Sequence, residues 1–194
     1  MRVILMRHGK PSLPAQKSVS SLEFKSWINS YNAADLCINL KPTKETVQLA
    51  QSCNAIVCSS LNRSIFSAKF LGINEVDVIE HQLREMEMPW GSFTNLNLKP
   101  KYWAVIFRVL WFLGYSKNSE SFKEAKLRAE QAALLLESTA KEKHTVLFVG
   151  HGMLNRFIAK ALVQRGWQTH KKVGSKYWEF GIFERKAYSK RGKS

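Results

Sequence analysis

Cysteine is scarce in this chain: Cys37, Cys53 and Cys58 are the only three in 194 residues, and no two have C-x-x-C spacing. An odd, unpaired set excludes a disulfide framework and gives no zinc-binding pattern, so no metal centre is expected and a reducing, cytoplasmic setting fits. Long hydrophobic runs are lacking too. Only four apolar residues separate Arg2 from Arg7, too few for a secretory signal, and no stretch approaches the roughly 20 apolar residues of a membrane span. No transmembrane segment is expected. Acidic side chains are the third shortage, with 15 against 30 Lys and Arg, which leaves a net charge of +15. Such a surface draws polyanions, phosphorylated substrates or an anionic membrane surface by long-range steering. The chain has no zinc-finger spacing, no aromatic RNP-like strand and no G-x-x-G clamp, so specific nucleic-acid binding is not expected. Internal repeats are absent as well.

What is present is alternation. Val3 to Met6 is a short β-branched and aliphatic run of the kind that forms a buried strand, and Ala55 to Ser60 and Thr145 to Gly150 repeat the pattern. Val76 to His81 alternates and reads as a further strand. Between them lie helical patterns: one after Pro42 with Thr43 as N-cap, one over "RSIFSAKFLG" closed by Gly72, and one over residues 120 to 140 with Ser121 and Glu124 as a capping box. A last one buries Leu154, Phe157, Ile158, Ala161 and Leu162 and stops at Gly166. Residues from the first strand to about 42 read as a polar stretch. Strands separated by helices imply a three-layer α/β/α sandwich on a mostly parallel sheet. The length suits one domain, residues 1–184, followed by a solvated basic tail at 185–194 with five basic and no acidic side chains.

Three of these strands run into polar clusters: Arg7-His8-Gly9, then Ser59, Ser60 and Arg63, then Gly150-His151-Gly152. In a parallel sheet all three carboxyl ends share one rim, where open α/β sheets bind ligands. Two arginines and two histidines converging there make a cationic pocket whose natural guest is a phosphate dianion, because guanidinium forks match its oxygens. The helix after Arg63 can add amide donors, and Gly9 and Gly152 would let the backbone come close to a ligand.

"RHG" after the first strand, "SSLNRSIFSA" after the second, "LRE" near the middle and "VGHG" after a late strand, in that order, resemble the histidine phosphatase (phosphoglycerate-mutase-like) superfamily. "ESFKEAKLR", Glu120 to Arg128, is similar to that family's Gly-Glu-Ser followed by an arginine in a long helix. The resemblance implies that His8 is a nucleophile forming a phosphohistidine, and that Arg7, Arg63 and His151, with Gly152, hold the phosphate. It points to Glu85 as general acid and then base, with Glu87 two residues away as the alternative register. It implies no metal or other cofactor, a phosphorylated small-molecule substrate or phosphoprotein, and a small helical cap at about residues 86–118. A monomer and a homodimer are both compatible with it.

The chain departs from the family's pattern at "LKPTKETVQ", at "EMPWGSF", which lacks an aromatic-Glu-Gly, and at Ser119-Glu120-Ser121 in place of Gly-Glu-Ser. These changes touch the substrate-facing side. A mutase binds a small acidic sugar phosphate in a closed polar pocket, whereas Trp90, Trp103 and Trp111 surround the cap here, which favours a phosphatase over phosphoglycerate-mutase-type transfer. A non-catalytic phosphate or polyanion binder would need neither His8 nor Glu85. His81, His144 and His170 match no family position and read as ordinary surface or strand-end residues. Residues 102–115, "YWAVIFRVLWFLGY", are apolar nearly all round. They fit a buried cap helix, a dimer interface, or a membrane-surface anchor flanked by Lys99 and Lys101.

Overall fold

Three apolar runs make the centre of a six-stranded sheet: β1 (Arg2–Arg7), β2 (Ala55–Ser59) and β4 (Thr145–Gly150). The structure, a computed structural model, describes every residue to Lys186 except Pro14, Gln16 and Phe93, so most of the basic tail lies outside the described residues. Adding β3 (Val78–Glu80), β5 (Gln168–Lys171) and β6 (Phe180–Glu184), the strand order is β3-β2-β4-β1-β6-β5. The first four strands of that order are parallel, while β6 and β5 run antiparallel at one edge. The sheet is therefore mostly parallel with an antiparallel margin, a common mixed arrangement.

Alternation along each strand sends side chains to opposite faces, and each face has its own helices. Val3, Leu5, Val57, Val146 and Phe148 pack under α5 (Phe122–Lys143) and α6 (Gly152–Gln164). Ile4, Met6, Ile56, Cys58 and Val149 pack against α2 (Lys44–Gln51) and α3 (Asn62–Phe70). This is the three-layer sandwich. Its helix ends follow the sequence signals: Thr43 Oγ1 accepts from Thr46 N–H at 3.2 Å, Ser121 and Glu124 form the reciprocal capping box, and Gly72 takes φ +76°.

Four elements differ from the sequence reading, which had neither β5 nor β6. The polar stretch contains a helix, α1 (Phe24–Ala33), and residues 102–115 shift to α4 (Pro100–Phe112), with Pro100 in its first turn and Gly114 just beyond it at φ +100°. These two helices form a third core of their own. Phe24 and Phe107 stack with centroids 5.6 Å apart, Trp103 is fully buried, and its Nε1–H donates to the Val19 carbonyl at 2.8 Å. Apolar all round in sequence, α4 is buried on one side only: Trp103, Phe107 and Trp111 face inward, while Tyr102, Val105 and Val109 are exposed. No helix of the described residues is long and apolar enough to cross a membrane.

Register aligns the strand ends. Arg7 pairs with Gly150, Cys58 with Val149, and Ser59 with Glu80, so the residues following β1, β2 and β4 meet on one rim.

Candidate active site

His8 leaves β1 with its backbone N–H on the Gly150 carbonyl at 3.0 Å, and its ring is 2% exposed. Its Nδ1 lies 2.6 Å from the Gly9 carbonyl oxygen. A carbonyl only accepts, so Nδ1 carries the proton and Nε2 keeps its lone pair free. Gly9 is fixed in turn by its N–H on Ser67 Oγ at 2.8 Å. A Cβ at Gly9 would sit 2.3 Å from the Trp178 ring, so this glycine serves packing on Trp178 rather than the ligand approach expected from sequence. At Gly152 the neighbour is Arg7, whose guanidinium carbon would be 3.4 Å from an added Cβ.

Beside His8 stands His151, fully buried, with ring centroids 5.1 Å apart. Its Nε2 is 2.7 Å from Ser59 Oγ, and that oxygen also accepts the Leu61 N–H at 3.3 Å. The Ser59 hydroxyl proton finds its acceptor in Nε2, and on that pairing we assign the ring proton of His151 to Nδ1. His151 Nδ1 is buried and has no partner. Arg7 Nε and Arg63 Nε are likewise buried and unpartnered. Part of each guanidinium is held: Arg7 Nη1 by the Ser175 carbonyl, with Cζ 4.3 Å from the Tyr177 ring centroid, and Arg63 Nη1 by Asn32 Oδ1 at 3.1 Å, with Cζ 4.9 Å from the Tyr31 ring centroid. Three buried donors without a protein acceptor gather around the two imidazoles, and such groups call for an acceptor from outside the protein, a water or a ligand.

The electrostatics agree. Burial, reinforced by Arg63 and Arg7 against the raising effect of the Gly9 carbonyl, holds His8 well below its usual 6.5. Burial, then His8, Arg63 and Arg7, does the same to His151. Both imidazoles are neutral at pH 7, and the positive charge resides on the arginines.

Glu85 reaches this site from the segment after a short 3-10 turn (His81–Leu83). Its carboxylate accepts N–H bonds from Met86 at 3.0 Å, Leu154 at 2.9 Å and Met153 at 3.2 Å, which seats it on the N-terminus of α6. The Gly152 amide, at the first position of α6, has no protein acceptor among the described residues. Glu87 is engaged differently, with Arg84 at 2.8 Å and the Glu120 N–H at 2.7 Å. Arg128 grips Glu120 through Nε at 2.9 Å and Nη2 at 2.5 Å, and donates to the Gln82 and Arg84 carbonyls. The Glu120–Arg128 pair thereby fixes the segment that carries Glu85.

Next to these groups opens a cavity of about 950 Å³, lined by Arg7, Arg63, Glu85 and Glu87 from the expected set, while His8, His151 and Gly152 are not among its lining residues and the two histidines lie buried behind the arginines' end of it. Sequence reasoning missed Trp27, Tyr31, Asn32, Arg108 and Tyr177, which also line it. A signal existed for the first of these, since Phe24, Trp27, Ile28 and Tyr31 have helical spacing. His81 is exposed and meets Ser60 Oγ at 3.1 Å, His144 ends α5 at φ +68°, and His170 pairs with Glu184 at 3.2 Å, all away from the cavity lining. Among the described residues no group of three His, Cys, Asp or Glu is arranged to hold a metal ion.

Known proteins share this architecture. A functionally characterised open reading frame of Mycobacterium tuberculosis superimposes with TM-score 0.58 at 18% identity, covering 93% of this chain and 89% of the other. Mycobacterial glucosyl-3-phosphoglycerate phosphatase gives 0.53 at 18%, covering 84% and 79%. YhfR of Bacillus stearothermophilus gives 0.55 at 19%, covering 84% and 80%. Sequence comparison with curated proteins gives no match. The profile of the histidine phosphatase superfamily (branch 1) matches residues 44–191, most of the chain, and the chain belongs to that family.

Proposed function

We infer that this protein is a phosphatase that hydrolyses a phosphomonoester through a phosphohistidine on His8. The observation that carries this reading is the set of three buried, unpartnered donors, Arg7 Nε, Arg63 Nε and His151 Nδ1, around an imidazole whose second nitrogen is already tied to Gly9. A phosphoryl group satisfies all three donors at once and presents its phosphorus to His8 Nε2. The solved relative that is a glucosyl-3-phosphoglycerate phosphatase, also determined with inorganic phosphate, is consistent with such an occupant.

In the first step the Nε2 lone pair bonds to phosphorus and the P–O bond to the leaving group breaks. Glu85, protonated for this step, gives its proton to the departing alkoxide. In the second, a water attacks the phosphohistidine, Glu85 takes its proton, and the P–N bond breaks to return His8 and release phosphate. Arg7, Arg63, His151 and the Gly152 amide bind the equatorial oxygens as charge redistributes. No step calls on a metal ion. A phosphorylated small molecule is the substrate this cavity suits.

His8→Ala tests the reading. Turnover should vanish while inorganic phosphate still binds, because the three donors remain, and rapid quenching of the wild-type enzyme with labelled substrate should trap acid-labile label on His8. Wild-type activity in the alanine variant would overturn it.

A further inference from the structure

Inorganic phosphate fills a small part of a cavity of about 950 Å³, which is at the upper end of sites for drug-sized ligands. The cations that line it fall into three groups. Arg7 and Arg63 belong to the phosphate floor. Arg84 and Arg108 are spent within the protein, Arg84 on Glu87 at 2.8 Å and Arg108 on the Met86 and Glu87 carbonyls at 3.0 and 3.2 Å. Lys10, Lys99 and Lys101 remain; Lys101 Nζ rests 4.9 Å from the exposed Tyr102 ring, and none of the three has a carboxylate within ion-pairing distance among the described residues. Both carboxylates of the cavity, Glu85 and Glu87, are committed to backbone amides and Arg84.

The segments bearing these lysines are pinned. Lys10 sits where its carbonyl accepts the Cys37 N–H at 2.7 Å and the Ser12 N–H meets the Asp35 carbonyl at 2.7 Å. Lys99 and Lys101 flank the start of α4, which follows the reciprocal Val19–Leu98 backbone bridge at 2.9 and 3.0 Å. Between floor and lysines the wall holds Trp27, Tyr31, Met86 and Met88, and the Trp27 indole N–H is buried with no acceptor. One phosphate on the floor leaves this cleft positively charged, and a cleft with low-dielectric walls concentrates that field.

We propose that the leaving group of the substrate carries a second anionic group, a phosphate or a carboxylate, seated by Lys10, Lys99 and Lys101, with its organic body against Trp27 and Tyr31. This rests on the phosphatase reading for the word "leaving group"; the lysine site itself is a matter of binding. Ammonium groups on flexible stems accept either anion without the fork geometry that a guanidinium demands.

The test compares three phosphomonoesters on one alkyl chain that differ at the far end: hydroxyl, carboxylate or second phosphate. In wild-type enzyme the two anionic tails should exceed the hydroxyl by about tenfold in kcat/KM, with the difference in KM; their mutual ratio tells which anion the site takes. In Lys10→Ala/Lys99→Ala/Lys101→Ala that advantage should fall to about twofold or less. A remote triple that removes the same charge, Lys123→Ala/Lys160→Ala/Lys172→Ala, should keep it. No advantage in the wild type, or equal loss in both triples, overturns the proposal, because net charge alone would then explain the preference. Calorimetry of the same compounds on His8→Ala protein separates this from the hydrolytic reading. A lysine-dependent preference there, with no hydrolysis by the wild type, would sink the phosphatase and leave the anion site standing.

Discussion

Glu85→Gln perturbs two things at once, and the structure lets them be separated. The carboxylate accepts two N–H bonds at Oε1, from Met86 and Leu154, and one at Oε2, from Met153. A glutamine can keep the first two, but its amide NH2 then faces the Met153 N–H, so one charge-assisted bond and the charge at the α6 N-terminus are lost. Together these are worth about 2 kcal/mol. At roughly 2–4 °C per kcal/mol for a chain of this size, the midpoint of thermal unfolding should fall by about 4–8 °C. The chemical loss is separate: an acid that protonates the leaving group contributes about 10²- to 10⁴-fold, and only when the group is a poor one. The assay is kcat/KM for an alkyl phosphate and for a nitrophenyl phosphate, whose phenolate leaves unaided, on protein verified folded at the assay temperature. Glu85→Gln should lose about 10²-fold or more with the alkyl substrate and less than about tenfold with the aryl one. With dephosphorylation also slowed, the aryl substrate should show a burst followed by slow turnover. Glu87→Gln keeps an oxygen for the Glu120 N–H and should show neither split nor burst. Should the split belong to Glu87→Gln, the assignment within "LREME" is wrong by two residues; should neither variant split the substrates, the acid is another group.

Three further outcomes follow from the same geometry. His8 and His151 are buried neutral, with their folded values well below the usual 6.5, so the unfolded chain binds more protons as pH falls below about 6.5. Stability should be fully present above that pH and fall by up to about 3 kcal/mol per unit below it, measured by urea unfolding; a flat profile from pH 7 to about 5 would contradict two buried neutral imidazoles. Gly9→Ala puts a methyl 2.3 Å from the Trp178 ring, which is itself held by its Nε1–H on the Leu40 carbonyl at 2.8 Å. Displacing Gly9 moves the anchor of His8 Nδ1, and kcat should drop by about 10²-fold alongside a loss of about 1–3 kcal/mol in stability; unchanged kinetics would show that the anchor is not needed. Turnover should persist in excess chelator, since the two guanidiniums supply the positive charge and the neutral His151 ring only a hydrogen-bond donor. Complete loss on chelation, restored by a divalent ion, would rule the mechanism out.

Parts of the fold whose signals are local were legible in the sequence, and parts made by distant packing were not. β1, β2 and β4 are continuous apolar runs because both their faces are covered, and the Thr43 and Ser121 caps are hydrogen bonds closed within one turn. Helix α1 was overlooked although local signals for it exist: Phe24, Trp27, Ile28 and Tyr31 have helical spacing, and Ser20 and Glu23 bond each other's backbone N–H through their side chains at 2.8 and 3.2 Å. What is set at a distance is its place in the fold, where Phe24 stacks on Trp27 and on Phe107, a partner more than 70 residues away in sequence. β5 is exposed along its whole length and has no apolar pattern to display. The same division runs through the site. Arg7, His8, Arg63 and His151 follow strand ends or open helices, positions fixed by chain direction. Tyr31 and Tyr177 reach the site only through tertiary packing, each stacked beneath one of the two arginines.

That packing bears on why the site is poised before any substrate arrives. Two guanidiniums facing two imidazoles would ordinarily splay apart into solvent, since nothing anionic is there to hold them. Here Tyr177 and the Ser175 carbonyl take one face and one edge of Arg7, and Tyr31 and Asn32 do the same for Arg63. What remains of each side chain is Nη2 and a buried Nε that has nothing to bond. The cost of leaving those donors unmet is borne by the fold, through burial of Arg63 and the buried helix faces around it. Binding a phosphoryl group relieves it. The donors are in position for the oxygens before charge shifts onto them in the transition state, so little reorganisation is left to the reacting complex, and that is the condition under which fixed dipoles and charges accelerate phosphoryl transfer most.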